Sequence, residues 1–528
     1  MKKTRMITIL WNKCLGDNHL YAKIYSASVL GIHGFIVEVE VDISNGLPAF
    51  DIVGLPDSSV RESKERVRAA VKNSGVNFPL QRITTNLAPA DIKKEGASFD
   101  LAIALGILLA SDQMVGASID KTIFLGELSL DGCLRPLHGI LPMVMCAKEQ
   151  GFAKVLVPSA NDQEARLVDG IEIIPLQTLK ESVAYLKGEW QPAAGEIATT
   201  TELTKSIQPD LKDVQGQQHV KRAMEVAAGG GHNLMLIGPP GSGKTMLARR
   251  IPSILPCMNR QESLEVTKIY SIAGLLSERG KLVQERPFRS PHHTVSSVGI
   301  VGGGQIPKPG EVSLSHRGVL FLDELPEFSK AALEVLRQPL EDKEVTLSRS
   351  KITLSFPSDF MLISSMNPCP CGFYGYEEDR SCTCTPHQVQ RYRSRISGPL
   401  LDRIDLHVEV PRVNFETISS KSVPESSLEI RLRVNQARQI QQERFKESAT
   451  LCNSSMVPAQ IRKHCELDRA GRGLLHQSFD RLGLSARAHD RILKVARTIA
   501  DLAGEEKIQV AHVAEAIQYR ALDRKFWG

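Results

Sequence analysis

The sequence predicts an α/β protein: a P-loop domain built on a doubly wound parallel sheet, with a helical C-terminal lid, preceded by a second α/β domain. Three observations predict it. A complete phosphate-loop motif, Gly238-Pro-Pro-Gly-Ser-Gly-Lys-Thr245, follows an apolar run. A second apolar run, Val319-Leu320-Phe321-Leu322, ends in Asp323-Glu324. Around both, strand-like and helix-like stretches alternate from 211 to 412, the pattern of parallel strands joined by helical crossovers. Beyond 424 the pattern is almost purely helical, as in 425–447 and 487–503.

The phosphate loop needs glycines so that backbone N–H groups can turn inward and cradle phosphate oxygens. Gly238, Gly241 and Gly243 supply them, with Pro239, Pro240 and Ser242 completing the turn. Lys244 is placed to neutralise the β- and γ-phosphates, and Thr245 to put its hydroxyl on Mg²⁺. The context is that of a nucleotide site: residues 232–237 read as a strand, and 246–250 open a helix whose N-terminus adds a positive field.

The second half of the site is the strand 319–322. Its two carboxylates fall at the carboxyl end, where ligands bind in open α/β sheets. Asp323 suits Mg²⁺ held through water, and Glu324 suits orienting and deprotonating an attacking water, which points to hydrolysis. Leu362 to Met366 reads as another buried strand, ending in Asn367, an amide able to help place that water. Leu400-Leu401-Asp402-Arg403 precedes a strand at 404–410, and Arg403 is a candidate arginine finger for a neighbouring subunit's nucleotide. Arg393 and Arg395 are weaker candidates. Arg487, at the start of a C-terminal helix, is placed to close a helical lid over the phosphates.

The N-terminal part reads as an α/β unit over 21–188. Val37 to Val41 alternates apolar and acidic residues, as a half-buried strand does. Asp57 caps a helix with Val60, Val67 and Val71 on one stripe, ended by Gly75. A strand near 82–88, a helix near 98–110 and a strand at 123–130 follow, then helix, strand, helix, strand and helix to about 187. Residues 1–20 read as an extension and 189–210 as a linker without periodicity. The core then covers 211–412 and the lid 413–528.

With 528 residues the chain is long enough for several domains. A formal net charge of +5 permits a nucleic-acid partner without demanding one. No window approaches the roughly 18 consecutive apolar residues of a membrane helix. The expected setting is cytoplasmic, which fits ten cysteines read as reduced thiols or metal ligands in place of a disulfide framework. Four of them, Cys369, Cys371, Cys382 and Cys384, form two close pairs suited to tetrahedral zinc, with His387 as a substitute ligand. Reduced thiols in a loop are the other reading.

The order of phosphate loop, Asp-Glu strand, Asn367, Leu-Leu-Asp-Arg403 and Ser-Ala-Arg487 resembles AAA+ ATPases. More narrowly it resembles their magnesium-chelatase-like branch, and within it the ComM/YifB family of bacteria. Segments carrying the likeness include Gly54-Leu-Pro-Asp57, Arg289-Ser-Pro-His-His293 and Gly398-Pro-Leu-Leu-Asp-Arg403. The resemblance implies a homo-hexameric ATPase using ATP and Mg²⁺, with Arg403 and Arg487 in the finger and sensor-2 roles. It further implies a DNA helicase driving branch migration of recombination intermediates in natural transformation. The branch carries two insertions in its core, here 290–318 and a hairpin around 343–356. By resemblance the hairpin, with Arg349 and Lys351 near its tip, would face a central pore and touch DNA; an ordinary exposed hairpin is the other reading.

Residues 21–188 resemble the Lon-protease-like domain, with its ribosomal-S5-like fold. Lys94-Glu95-Gly96-Ala97-Ser98 stands where Lon has its nucleophilic serine, but the place of the activating lysine falls on Leu141. A serine without a base is a poor nucleophile, so a non-proteolytic domain is expected, with Ser98 as a helix cap; Lys148, two turns further along, would need a different geometry to serve. The alternative functions are a magnesium-chelatase-type ATPase subunit and an ATP-dependent protease. Against the first stand the Lon-like domain and the lack of an Asp-x-Ser-x-Ser metal-adhesion motif.

Overall fold

The computed structural model describes residues 20–114, 117, 119–192, 209–276, 281–304, 307–349, 352–376, 381–413, 424–482 and 485–522. They divide into two compact units, the first gathering residues up to 201 together with 267–282, the second 202–266 and 283–528.

The first unit is built on a seven-stranded mixed sheet. Its members are β1 (Leu20–Leu30), β2 (His33–Ser44), β3 (Ala49–Val53), β4 (Arg82–Ala88) and β5 (Thr122–Phe124), with a small hairpin of β6 (Glu127–Leu128) and β7 (Leu134–Arg135) set apart, then β8 (Lys154–Pro158) and β9 (Glu172–Leu176). The order is β3-β4-β2-β1-β5-β8-β9. The alternation seen in β2 does what its period requires: Val37, Val39, Val41 and Ile43 are buried. Asp57 accepts from the Val60 N–H at 2.8 Å and caps the Ser58–Asn73 helix. The Asp100–Ala110 helix is apolar all round and lies in the core.

Two local expectations are corrected. Ser98 is not the cap of that helix: Phe99 holds the N-cap position without a side-chain bond, and the buried Ser98 hydroxyl donates to the Ala27 carbonyl at 3.5 Å. Lys148 lies beside Gly170. The strand expected over 123–130 breaks at Leu125-Gly126. The Gly126 carbonyl accepts from the Leu101 N–H and its own N–H donates to the Ser98 carbonyl, so both backbone groups serve the helix entry and leave the ladder.

The second unit has a five-stranded, all-parallel sheet. Its strands are β10 (Leu234–Ile237), β11 (Phe288–Arg289), β14 (Val319–Leu322), β17 (Met361–Met366) and β18 (Leu406–Glu409). Between them come a short pair, β12 (Gly302–Gly303) with β13 (Lys308–Pro309), and the hairpin of β15 (Glu344–Arg349) with β16 (Ile352–Pro357). The order across the sheet is β11-β14-β17-β10-β18. The strands β10 and β14 read as unbroken apolar runs, and β17 as one interrupted only by Ser364-Ser365, because both faces are covered. Leu234, Leu236, Val319, Phe321, Ile363 and Val408 enter one core together with the Gln218–Gly230, Ser427–Phe445 and Ala486–Leu502 helices. Met235, Ile237, Leu320, Leu322, Leu362 and Met366 enter the opposite core with Leu333, Leu336 and Leu400. The C-terminal helices therefore share a core with the sheet.

A buried polar network ties the end of the sheet to those helices. Asp405, 6% exposed, accepts from Arg491 and from the Asn233 N–H at 3.2 Å, and pairs with His232 Nδ1 at 3.2 Å. His232 Nε2 reaches the Thr498 hydroxyl at 2.8 Å. Burial pushes the Asp405 carboxyl up, but the Arg491 charge and the His232 bond outweigh it and hold it well below the usual carboxylate range. A depressed folded pKa gives stability that is present above about pH 4 and lost as the pH falls below it. Asp405→Ala, which leaves Arg491 and His232 facing each other, is expected to destabilise this unit by about 3–5 kcal/mol. Urea denaturation at neutral pH measures the loss, and the difference from wild type is expected to shrink in acid.

Candidate nucleotide site

Parallel pairing brings the carboxyl ends of β10, β14 and β17 to one edge of the sheet, with Ile237 opposite Met366 and Leu322 opposite Ser364. The phosphate loop leaves β10 at Gly238, whose N–H donates to the Met366 carbonyl at 3.2 Å. A Cβ on Gly238 would sit 2.1 Å from the Val410 carbonyl oxygen, so no side chain fits there. Gly243 has φ +87°, a left-handed turn that favours glycine. The helix after the loop is short, Lys244–Ala248, so loop N–H groups and the Lys244 charge make up most of the cradle.

Lys244 is buried, and its ammonium donates to the Gly238 carbonyl at 2.8 Å, the Pro239 carbonyl at 2.9 Å and Asn367 Oδ1 at 3.1 Å. Burial pushes its pKa down to about 8, against the upward pull of Asp323 and Glu324. A buried ammonium turned onto its own loop's carbonyls fits a site that takes an anionic phosphate. The Thr245 hydroxyl donates to Asp323 Oδ2 at 2.7 Å, which brings together the two residues expected at Mg²⁺. A hydroxyl and a carboxylate are hard oxygen donors, the chemistry Mg²⁺ prefers. These two residues would hold the ion, and when bound it would neutralise phosphate charge.

Glu324 is exposed at the mouth of the site and has φ +53°. A non-glycine residue in that region is strained, a feature concentrated at functional positions. Its N–H donates to Asp323 Oδ1 at 3.2 Å and to the Ser365 hydroxyl at 3.3 Å. Ser365 in turn donates to Asp323 Oδ1. Ser365 and Gln217, whose amide donates to the Ser242 carbonyl at 2.9 Å and the Pro411 carbonyl at 3.2 Å, were missed in the sequence. The pair Ser364-Ser365 inside an otherwise apolar strand was the available signal for the first. Nothing local marks Gln217.

Lys244, Thr245, Asp323, Glu324 and Asn367 thus converge. The arginines do not join them within this chain. Arg403 is buried and donates to the Pro399 carbonyl at 2.7 Å and to Glu341. Arg487 is well exposed, 4.0 Å from Asp402. Arg395 pairs with Glu327 at 2.9 Å, and Arg393 donates to the Pro368 carbonyl at 3.1 Å. Of the DNA-contact candidates, Arg349 ends β15, and Lys351 lies outside the described residues.

The cysteine pairs meet beside the site. The sulfurs of Cys369, Cys371, Cys382 and Cys384 all lie within 4.8 Å of one another. Cys369 Sγ accepts from the Gly372 N–H at 3.2 Å and the Tyr374 N–H at 3.4 Å, and Cys384 Sγ from the Cys371 N–H at 3.4 Å. His387 lies in the Pro386–Arg393 helix.

The sequence is similar to those of known proteins along most of its length. The family described as magnesium chelatase, subunit ChlI, matches residues 210–418; subunit ChlI of Mg-chelatase matches 39–161; and the subunit ChlI C-terminal family matches 424–520. The competence protein ComM of Haemophilus influenzae is 43% identical over 509 residues, covering 95% of this chain and 98% of that protein. YifB of Escherichia coli is 43% identical over 502 residues, covering 95% and 97%. Lon protease 2 of Bacillus subtilis is 30% identical over 166 residues, 28% of this chain and 29% of that protein. The match over 39–161 removes one reason for setting chelatase subunits aside, since a family bearing that description covers part of the first unit.

Proposed function

Because this chain belongs to the magnesium-chelatase-like ComM/YifB family of AAA+ ATPases, we propose that it is a hexameric ATP-driven DNA motor that moves branch points in recombination intermediates. The observation that carries the reading is the match to a competence protein over nearly the full length of both chains. The site supports the driving reaction. Lys244 and the loop N–H groups bind the phosphates, Thr245 and Asp323 hold Mg²⁺, and Glu324 takes a proton from the attacking water placed with help from Asn367. Arg403 serves a neighbouring subunit's nucleotide, Arg487 closes the lid helices over the phosphates, and the β15–β16 hairpin with Arg349 and Lys351 meets DNA.

Among the described residues no helix is long and apolar enough to cross a membrane, which suits action on DNA in the cytoplasm. The chelatase reading is disfavoured because the full-length likeness is to ComM and YifB proteins and no metal-adhesion motif is present. The protease reading is disfavoured because the Ser98 hydroxyl bonds a backbone carbonyl and because the place that the resemblance to Lon gives to the activating lysine is taken by Leu141, a buried residue without a base.

Purified protein mixed with a synthetic four-way DNA junction and ATP is expected to release strands, and Glu324→Gln to release none. Wild-type protein that moves no strand, and whose ATPase rate ignores DNA, overturns the motor reading.

A further inference from the structure

We propose that the four cysteines form a structural zinc site that braces the phosphate loop from outside, so that metal loading sets the affinity for nucleotide. The inference rests on the ATPase reading and is independent of DNA.

The cluster has the dimensions of a metal site. Four thiolates bonded at about 2.3 Å to a tetrahedral zinc stand roughly 3.8 Å apart. Here Cys369 and Cys382 are 3.8 Å apart, Cys371 and Cys382 3.6 Å, and Cys369 and Cys371 3.3 Å. A disulfide holds its sulfurs at about 2.05 Å. The backbone N–H groups aimed at Cys369 and Cys384 are the outer partners that settle thiolate charge around a metal.

The residues after Cys371 are laid against the nucleotide site. Gly372, at φ +89°, packs so tightly that a Cβ there would lie 2.4 Å from Pro240 Cδ of the phosphate loop. Arg412 stacks over the Phe373 ring at 5.4 Å and donates to the Pro240 carbonyl at 3.2 Å. The Tyr376 hydroxyl donates to Glu409 at 2.6 Å, at the end of β18. On the other side, Cys369 stands two residues beyond Asn367, and Asn367 accepts from Lys244. The segment therefore touches the loop at Pro240 and is joined to the residue that holds its lysine. Four metal bonds would fix the Cys-Pro-Cys-Gly turn in this shape.

The full chain, purified without chelator, is expected to carry about one zinc per chain by elemental analysis. Stripping the zinc with phenanthroline is expected to weaken binding of a fluorescent ATP analogue by about tenfold, and returning zinc to restore it. Gly372→Ala is expected to keep its zinc and still bind the analogue several-fold more weakly, because the new methyl displaces Pro240. This variant tests the brace even if stripped protein unfolds, which circular dichroism reports. Zinc far below one per chain overturns the proposal, as does unchanged nucleotide affinity in folded stripped protein or in Gly372→Ala. Zinc-loaded wild type that binds no nucleotide overturns both this and the ATPase reading.

Discussion

Glu324→Gln is expected to lower ATP turnover by about 10²–10⁴-fold, the usual contribution of a positioned general base, while nucleotide affinity stays near that of wild type. The two effects separate because the groups that bind are different from the group that reacts. In the proposed reaction Lys244 and the loop grip phosphate, and Thr245 with Asp323, whose side chains bond each other, would supply the Mg²⁺ donors. The Glu324 side chain bonds none of these; its backbone N–H is what joins the network, through Asp323 and Ser365. Glutamine keeps that N–H, the left-handed backbone and the size of the side chain, but it accepts no proton. Phosphate release measures turnover and a fluorescent ATP analogue measures binding. Hydrolysis at the wild-type rate would remove Glu324 from the chemistry. A loss of affinity equal to the loss of rate would make its part structural.

The edge where the candidate residues meet was legible because each of its pieces announces itself locally. A glycine-rich loop after an apolar run, and two carboxylates after four apolar residues, have meaning wherever they occur. Parallel pairing then obliges those carboxyl ends to meet. What stayed hidden depends on residues far apart in sequence. Gln217 reaches a loop 25 residues away, and Gly372 meets Pro240 across 132 positions, which no periodicity records. Nor did the alternating pattern after Val266 show that 267–282 gathers with the first unit, since a helix reads alike whichever core receives it. Ser98 illustrates the opposite error. A serine before a helix invites the reading of a cap, yet tertiary bonding to Ala27 took the hydroxyl and left Phe99 at the N-cap.

Arg403→Ala is expected to lower ATP turnover by about 10³–10⁵-fold, the effect of losing an arginine finger, without unfolding the chain. Stability is expected to survive because the partner left behind, Glu341, is well exposed and stays hydrated. An ion pair open to water on one side is worth roughly 0–1 kcal/mol. For the same reason Arg403 gives up Glu341 at little cost; to extend toward another subunit it must also release the Pro399 carbonyl. Within its own chain it contacts none of the phosphate-loop residues, so a role in hydrolysis requires a neighbour. Subunit mixing decides this. Arg403→Ala retains an intact phosphate loop, Lys244→Ala retains an intact arginine, and each alone is expected to be inactive. Mixed in equal amounts, they place an intact loop against an intact arginine at roughly a quarter of the interfaces of a cyclic assembly. Activity is then expected to return to a comparable fraction of wild type. If Arg403 acted inside its own subunit, no mixture could unite the two groups and activity would stay absent. Arg487→Ala in the same mixture separates the second arginine's assignment: rescue by Lys244→Ala subunits means it too crosses the interface, whereas failure of rescue confines it to the phosphates of its own chain.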